Sequence, residues 1–433
     1  MQYYSLNQQA PNVSFREATI LGQAPDKGLY FPEYIPKADP SLIAHIEQYS
    51  KEELAFRIML PYVGDTITEE ALYQIVSETV NFDFPLVPVN EFIASLELFH
   101  GPTLAFKDVG ARFMSRCLGY FSRGQSAKVT VLVATSGDTG GAVANGFLGV
   151  EGVDVVILYP SGKVSPVQEL QLTTCGQNIT ALEVDGTFDD CQAMVKSAFM
   201  DLDLNLQLKL TSANSINVAR WLPQQLYYFF AYREWKDKEH PPVIAVPSGN
   251  FGNICAGLLA YTSGLPVAHF IAACNVNDAV PDYLRTGHYQ PKEAVATISN
   301  AMDVGSPSNF IRVLELFQKD HEAITRMISG YTVTDEVTRA TIQQVYESFH
   351  YILDPHGAVA YHALEQYLQG HPEQKGMILE TAHPVKFPET VEAAIGKKLE
   401  MPAAAQSLLG KQKHSIRLGA DFEQLKAYLM SRA

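Results

Sequence analysis

Short apolar runs alternate with amphipathic stretches from about residue 128 onward, a pattern that predicts strands followed by helices. The run 129–134 is rich in β-branched residues. It stops at Thr135-Ser136-Gly137-Asp138-Thr139-Gly140-Gly141, ahead of a helical stretch over 142–148. Further strands are predicted over 153–159, 179–184, 206–210, 243–246 and 377–379. Between two of them, Phe188, Cys191, Met194, Val195, Ala198 and Phe199 share one face at helical spacing, with Asp189 and Asp190 favouring the helix start. Such alternation means βαβ units and largely parallel sheets, whose ligands gather beyond the carboxyl ends of the strands. Four runs end in small polar turns, expected to converge on one cleft.

The first ninety residues read differently, as helices and turns with Pro32, Pro36, Pro40 and Pro61 as breaks. Ser50, followed three residues later by Glu53, predicts a capping box at the start of a helix. The longest stretch free of charge, from His240 to Asn277, is punctuated by Pro241, Pro242, Pro247, Gly249, Gly252, Gly264 and Pro266. A membrane span would avoid that punctuation, so the stretch reads as buried strand, loop, helix, loop and strand.

A chain of 433 residues exceeds what one core usually organises, which sets two or three domains as the expectation. Its net charge of −15 argues against nucleic acid or an anionic membrane as the main partner, because both reward clustered Lys and Arg. The five cysteines are far apart and odd in number, as reduced thiols in a cytoplasm would be. The start, Met1-Gln2-Tyr3-Tyr4-Ser5, shows no basic region leading into an apolar one, so no secretory signal is expected.

Several familiar chemistries lack their motifs. No two glycines stand two apart, which removes GxGxxG, and GxxxxGK[ST], GxSxG, HExxH and paired-cysteine spacings are missing as well. Ser248-Gly249-Asn250-Phe251-Gly252-Asn253 lies between a buried strand and a helix. There glycines would let backbone N–H groups close on an anion at a helix start. By itself it reads equally as a tight strand-to-helix turn. Lys107, in His100-Gly101-Pro102-Thr103-Leu104-Ala105-Phe106-Lys107-Asp108, follows apolar and small residues. A desolvated lysine is a neutral amine able to attack an aldehyde, whereas an ordinary one covers apolar surface and reaches water. Thr135, Ser136, Asp138 and Thr139 offer hydroxyls and N–H donors suited to a carboxylate or phosphate. Ser212, Asn214, Asn217 and Arg220 form another polar set, open to the alternative of helix capping plus a surface arginine. Two anion-shaped sites suggest two phosphates.

Taken in order, these segments resemble the threonine synthase family. HGPTLAFKD (100–108), SGDTG (136–140), SANSIN (212–217) with Arg220, PSGNFG (247–252), NVND (275–278), NAMD (300–303) and TAHP (381–384) all match. Glu380, where relatives usually carry a small residue, and Val385, in place of alanine, depart from the pattern. The resemblance implies an α/β fold of two parallel-sheet three-layer domains, the type II fold of pyridoxal-phosphate enzymes, with a mainly helical N-terminal extension. The expected division is an N-terminal domain over 1–95, a smaller substrate domain over 96–225, a larger cofactor domain over 226–400 and a tail over 401–433. It implies pyridoxal 5'-phosphate bound to Lys107 as a Schiff base, with its phosphate on Gly249, Asn250, Phe251, Gly252 and Asn253 and its pyridine nitrogen facing Thr381. Thr135, Ser136, Asp138, Thr139, Lys163, Ser212, Asn214, Asn217 and Arg220 would hold the substrate. That substrate is O-phosphohomoserine, turned into threonine by γ-elimination and β-addition. A cytoplasmic lyase, monomeric or homodimeric and independent of metal, is the expectation, with a phosphohomoserine lyase or an inactive ligand-binding homologue as alternatives.

Overall fold

The computed structural model describes residues 1–125 and 128–432. Two parallel sheets organise it. The smaller has five strands in the order Ile416–Gly419, Ile179–Asp185, Val153–Pro160, Val129–Ala134 and Lys209–Ser212, every neighbouring pair parallel. The larger runs Ile328–Thr332, His269–Cys274, Val243–Pro247, Gly376–Glu380 and Ile93–Glu97 in parallel, with Leu86–Pro88 added antiparallel at the edge.

Both faces of each sheet are covered, which is why the central strands read as unbroken apolar runs. In the smaller sheet Val131, Val133, Val155 and Ile157 face a core shared with Phe113 and Phe147, while Leu132, Val156 and Leu182 face Met194, Val195 and Leu425. In the larger sheet Ile244, Val246, Met377 and Leu379 join the first of those cores. Val243, Ala245 and Ile378 pack instead on Val359, Ala363 and Leu364 of the helix Pro355–Gln369. One central core thus joins the inner faces of both sheets, and the expected three-layer α/β architecture stands.

The predicted strands fall within a residue or two of the observed ones, with one exception. The run 206–210 divides into a short helix, Leu202–Gln207, capped by the Asp201 side chain, and the strand Lys209–Ser212. Helix Lys51–Val63 carries the expected Ser50–Glu53 capping box. Pro61 lies inside that helix and does not break it, two residues from its end. The N-terminal region is not only helices and turns, because Gln2–Ser5 pairs antiparallel with both Val13–Ser14 and Tyr30–Pro32. Nor do the sheets respect the expected boundaries at 95 and 401. Strand Ile93–Glu97 pairs with Gly376–Glu380, and the tail returns to the smaller sheet through Ile416–Gly419. Among the described residues no helix is long and apolar enough to cross a membrane.

Candidate active site

Lys107 opens the helix Lys107–Ser122, just after a loop that passes through Leu104 at φ +59°. A leucine in the left-handed region is strained, so the loop must be held from several sides. Asp108 is buried and accepts hydrogen bonds from the Thr103 N–H at 2.9 Å and the Thr103 hydroxyl at 2.5 Å. Gly101 makes room for that carboxylate, since a Cβ there would stand 2.4 Å from Asp108 Oδ2. Phe106 N–H donates to the Thr381 carbonyl at 2.9 Å, His383 N–H donates to the Leu104 carbonyl at 3.0 Å, and the Tyr227 hydroxyl donates to the Phe106 carbonyl. The lysine motif and the TAHP segment are therefore zipped together.

The Lys107 side chain is half-buried. Desolvation lowers its pKa most, repulsion from Arg220 and Lys386 adds to that, and attraction to Asp138 opposes it. The result falls from 10.5 to about 8. An appreciable neutral fraction of the amine near neutral pH is what attack on an aldehyde requires.

Lys386 was not singled out by the sequence. Its side chain is fully buried, lies 2.6 Å from Asp138 Oδ1 and donates to the Thr103 carbonyl at 2.9 Å. Gln168 donates to the same Asp138 oxygen at 2.9 Å. Burial alone would raise the Asp138 carboxyl, but Lys386 and Lys107 outweigh it and hold the group well below the usual carboxylate range. The Asp138 carboxylate is thus engaged with Lys386, and only the backbone N–H of this residue is left to meet an anionic substrate. It holds Lys386 directly and acts on Lys107 through its charge. The sequence carries no signal for Lys386 beyond its place two residues after TAHP.

Residues 249–253 meet the larger sheet at the carboxyl end of strand Val243–Pro247. Phe251 adopts φ +62° and caps the helix Gly252–Thr262. No backbone N–H of these five residues donates to a protein acceptor among the described bonds, and the buried Asn253 Nδ2 has no partner either. Gly249 packs so closely that a Cβ would sit 2.6 Å from Met302 Cα. Asn250 Nδ2 donates to Ser215 Oγ at 3.0 Å, tying this loop to the SANSIN segment. Free donors, a helix N-terminus and a lost side chain make a phosphate cradle. With Thr381 buried at the end of the neighbouring strand and Lys107 anchored to it through Phe106, the residues present fit pyridoxal phosphate. Gly249→Ala overpacks the cradle against backbone, costing about 1–3 kcal/mol. The expected outcome is a cofactor Kd raised about tenfold or more, read by titrating apoenzyme with the cofactor.

The expected substrate residues divide. Thr135 Oγ1 accepts from Gly137 and Gly140 N–H, both at 2.9 Å, and so shapes its turn. That leaves the N–H groups of Ser136, Asp138 and Thr139 without protein acceptors among the described bonds, with Ser136 and Thr139 half-exposed. Arg220 is buried, not a surface arginine. One nitrogen donates to the Ala213 carbonyl, Nε has no partner, and no carboxylate pairs with it among the described residues. Desolvation lowers its pKa to about 10, still charged. Ser212 Oγ accepts from Asn214 N–H at 3.2 Å and fixes the following turn. Asn217 turns inward, donating to Thr19 and Ser212 carbonyls and capping Ala219 N–H, so at this position helix capping prevails. Lys163 is exposed, and its charge is felt by Asp190 and Cys191.

Fold and site together define a pyridoxal-phosphate-dependent enzyme, and the family model of that description matches residues 82–380. The models for the threonine synthase N terminus and C-terminal region match 2–80 and 357–429. The chain belongs to the threonine synthase family. It is 44% identical to the Escherichia coli threonine synthase over the full length of both chains, and 37% identical to that of Saccharomyces cerevisiae over 91% of this chain and 89% of the yeast protein. The crystal structure of the E. coli threonine synthase superposes with a TM-score of 0.93 at 43% identity, covering all of both chains. That of a pyridoxal-phosphate-bound threonine synthase from Brucella melitensis does so at 0.94 and 35%, covering 100% of this chain and 99% of the other.

Proposed function

We propose that this chain converts O-phospho-L-homoserine and water into L-threonine and phosphate, working in the cytoplasm as a monomer or homodimer. The observation that carries the reading is a lysine of lowered pKa flanked by two separate sets of unpaired donors. One set, residues 249–253, suits the phosphate of pyridoxal phosphate. The other, the N–H groups of Ser136, Asp138 and Thr139 with the buried Arg220, suits the anionic groups of a phosphorylated amino acid. When bound to Lys107, the cofactor supplies an electron sink for carbanion chemistry at the substrate. Thr381 offers the pyridine nitrogen a neutral hydroxyl, which supports positive charge there less than a carboxylate would.

The protein's own part is proton transfer and restraint. Once displaced by the substrate amine, Lys107 Nζ takes the proton from Cα and later returns protons to the substrate carbon chain. Its lowered pKa keeps it neutral enough to accept them, and Asp138 steadies the ammonium that forms. Arg220 and the 136–139 donors grip the substrate phosphate and keep it after it leaves. Held there, the departed phosphate can take a proton from the incoming water.

Product analysis tests the assignment. Incubation with O-phosphohomoserine should give inorganic phosphate and threonine in equal amounts. Phosphate with 2-oxobutyrate and ammonia would instead assign the lyase outcome, and no phosphate would overturn the substrate.

A further inference from the structure

Behind Thr381 lies a buried acidic cluster that the reaction above does not use. Strand Gly376–Glu380 ends in Glu380, whose side chain is fully buried and whose Oε1 accepts the Asp354 N–H at 2.6 Å. Its other oxygen, Oε2, receives no hydrogen bond and lies 1.6 Å from where a Cβ on Gly357 would stand. Only a glycine at 357 leaves space for this side chain. Asp354 caps the helix Pro355–Gln369, accepting from His356 and Gly357 N–H, and its Oδ1 also meets His356 Nδ1 at 2.5 Å. His356 Nε2 in turn accepts Ala301 N–H at 3.2 Å, and Ala301 and Met302 close over Gly249 of the phosphate cradle. A chain of contacts thus runs from Thr381 to the far end of the cofactor site.

We propose that Glu380, lodged in the space opened by Gly357, is a positioning residue that clamps the Thr381 strand end to the first turn of helix Pro355–Gln369. Its surroundings favour the neutral acid. Burial first, then the neighbouring Asp354 carboxylate and Glu97, push the Glu380 carboxyl well above its ordinary range. No cation pairs with it among the described residues. His356 Nε2 accepts the Ala301 N–H, the Tyr351 hydroxyl is spent on Ser95 and Glu97, and burial lowers His383 to about 4. Asp354 itself sits at a helix N-terminus, where its side chain accepts the His356 and Gly357 N–H groups. Glu380 and Gly357 form a matched pair.

The inference rests on placing Thr381 at the cofactor's ring, and the test separates the two. Apoenzyme is titrated with pyridoxal phosphate, and the visible band of each holoenzyme is recorded. E380Q, neutral and of the same shape, should keep both the Kd, within about threefold, and the band. E380M removes the acceptor for Asp354 N–H and should raise the Kd about tenfold and shift the band. G357A should do the same, because its added Cβ displaces the Glu380 carboxyl from the Asp354 N–H. E380Q as damaging as E380M overturns the proposal. So does a loss that shows in apoenzyme Tm while the Kd and the band never move, because the pair would then be structural only. If the pair moves the band while T381A leaves it unchanged, the Thr381 assignment fails and the clamp remains.

Discussion

Lys107→Ala should lower turnover by about 10³- to 10⁴-fold or more and leave the purified protein colourless. The fold gives no reason for it to collapse, because the loop before the helix is held by Asp108, Phe106 and Tyr227 and not by the lysine amine. What disappears is the one amine whose pKa has been brought to about 8. Asp138 and Lys386 are engaged with each other, and Arg220 cannot act as a base at working pH. Steady-state kinetics beside a thermal melt checks both halves: lost turnover with a retained fold. A variant that stays yellow and active would require another lysine.

The second large effect is expected at Lys386. Lys386→Met leaves the buried Asp138 carboxylate facing only Gln168 and Lys107. An uncompensated buried charge of this sort costs about 3–5 kcal/mol of folding stability, which urea denaturation at neutral pH would measure. Adding Asp138→Asn should recover much of it, since both charges then leave together. The change also reaches Lys107. Repulsion from Lys386 lowers the Lys107 pKa, and Asp138, no longer neutralised, raises it, so both consequences push the titration upward from about 8. The neutral amine is the reactive form. Cofactor uptake by the variant apoenzyme should therefore be slower at pH 7, with its rise displaced to higher pH. An unchanged pH profile would separate Lys386 from the chemistry.

Much of the fold was legible because parallel strands buried on both faces leave unbroken apolar runs, as at Val129–Ala134 and Val243–Pro247. Edge strands gave no such run. Leu86–Pro88 and Ile416–Gly419 are short and partly exposed, and pairing alone defines them. Leu202, Leu204, Leu206, Leu208 and Leu210 alternate as a strand would. Asp201 nonetheless caps a helical turn through Gln207, and Leu202 and Leu206 are left exposed. The site divides along similar lines. Segments whose backbone does the work, 249–253 and 135–141, are recognisable from glycines next to strand ends. Residues whose role depends on what lies across the cleft are not: no motif singles out Lys386, and Asn217 reads as a ligand though its side chain caps a helix. Val385, beside TAHP, packs with Leu104, Val167 and Ala405 of the tail, a contact that no pattern along the chain reveals.

The most direct measurement is borohydride reduction of the cofactor-loaded enzyme, followed by proteolysis and mass mapping of the tagged peptide. The expected result is a single pyridoxyl group on Lys107. A tag on any other lysine, or none on a protein that still makes threonine, would contradict the assignment.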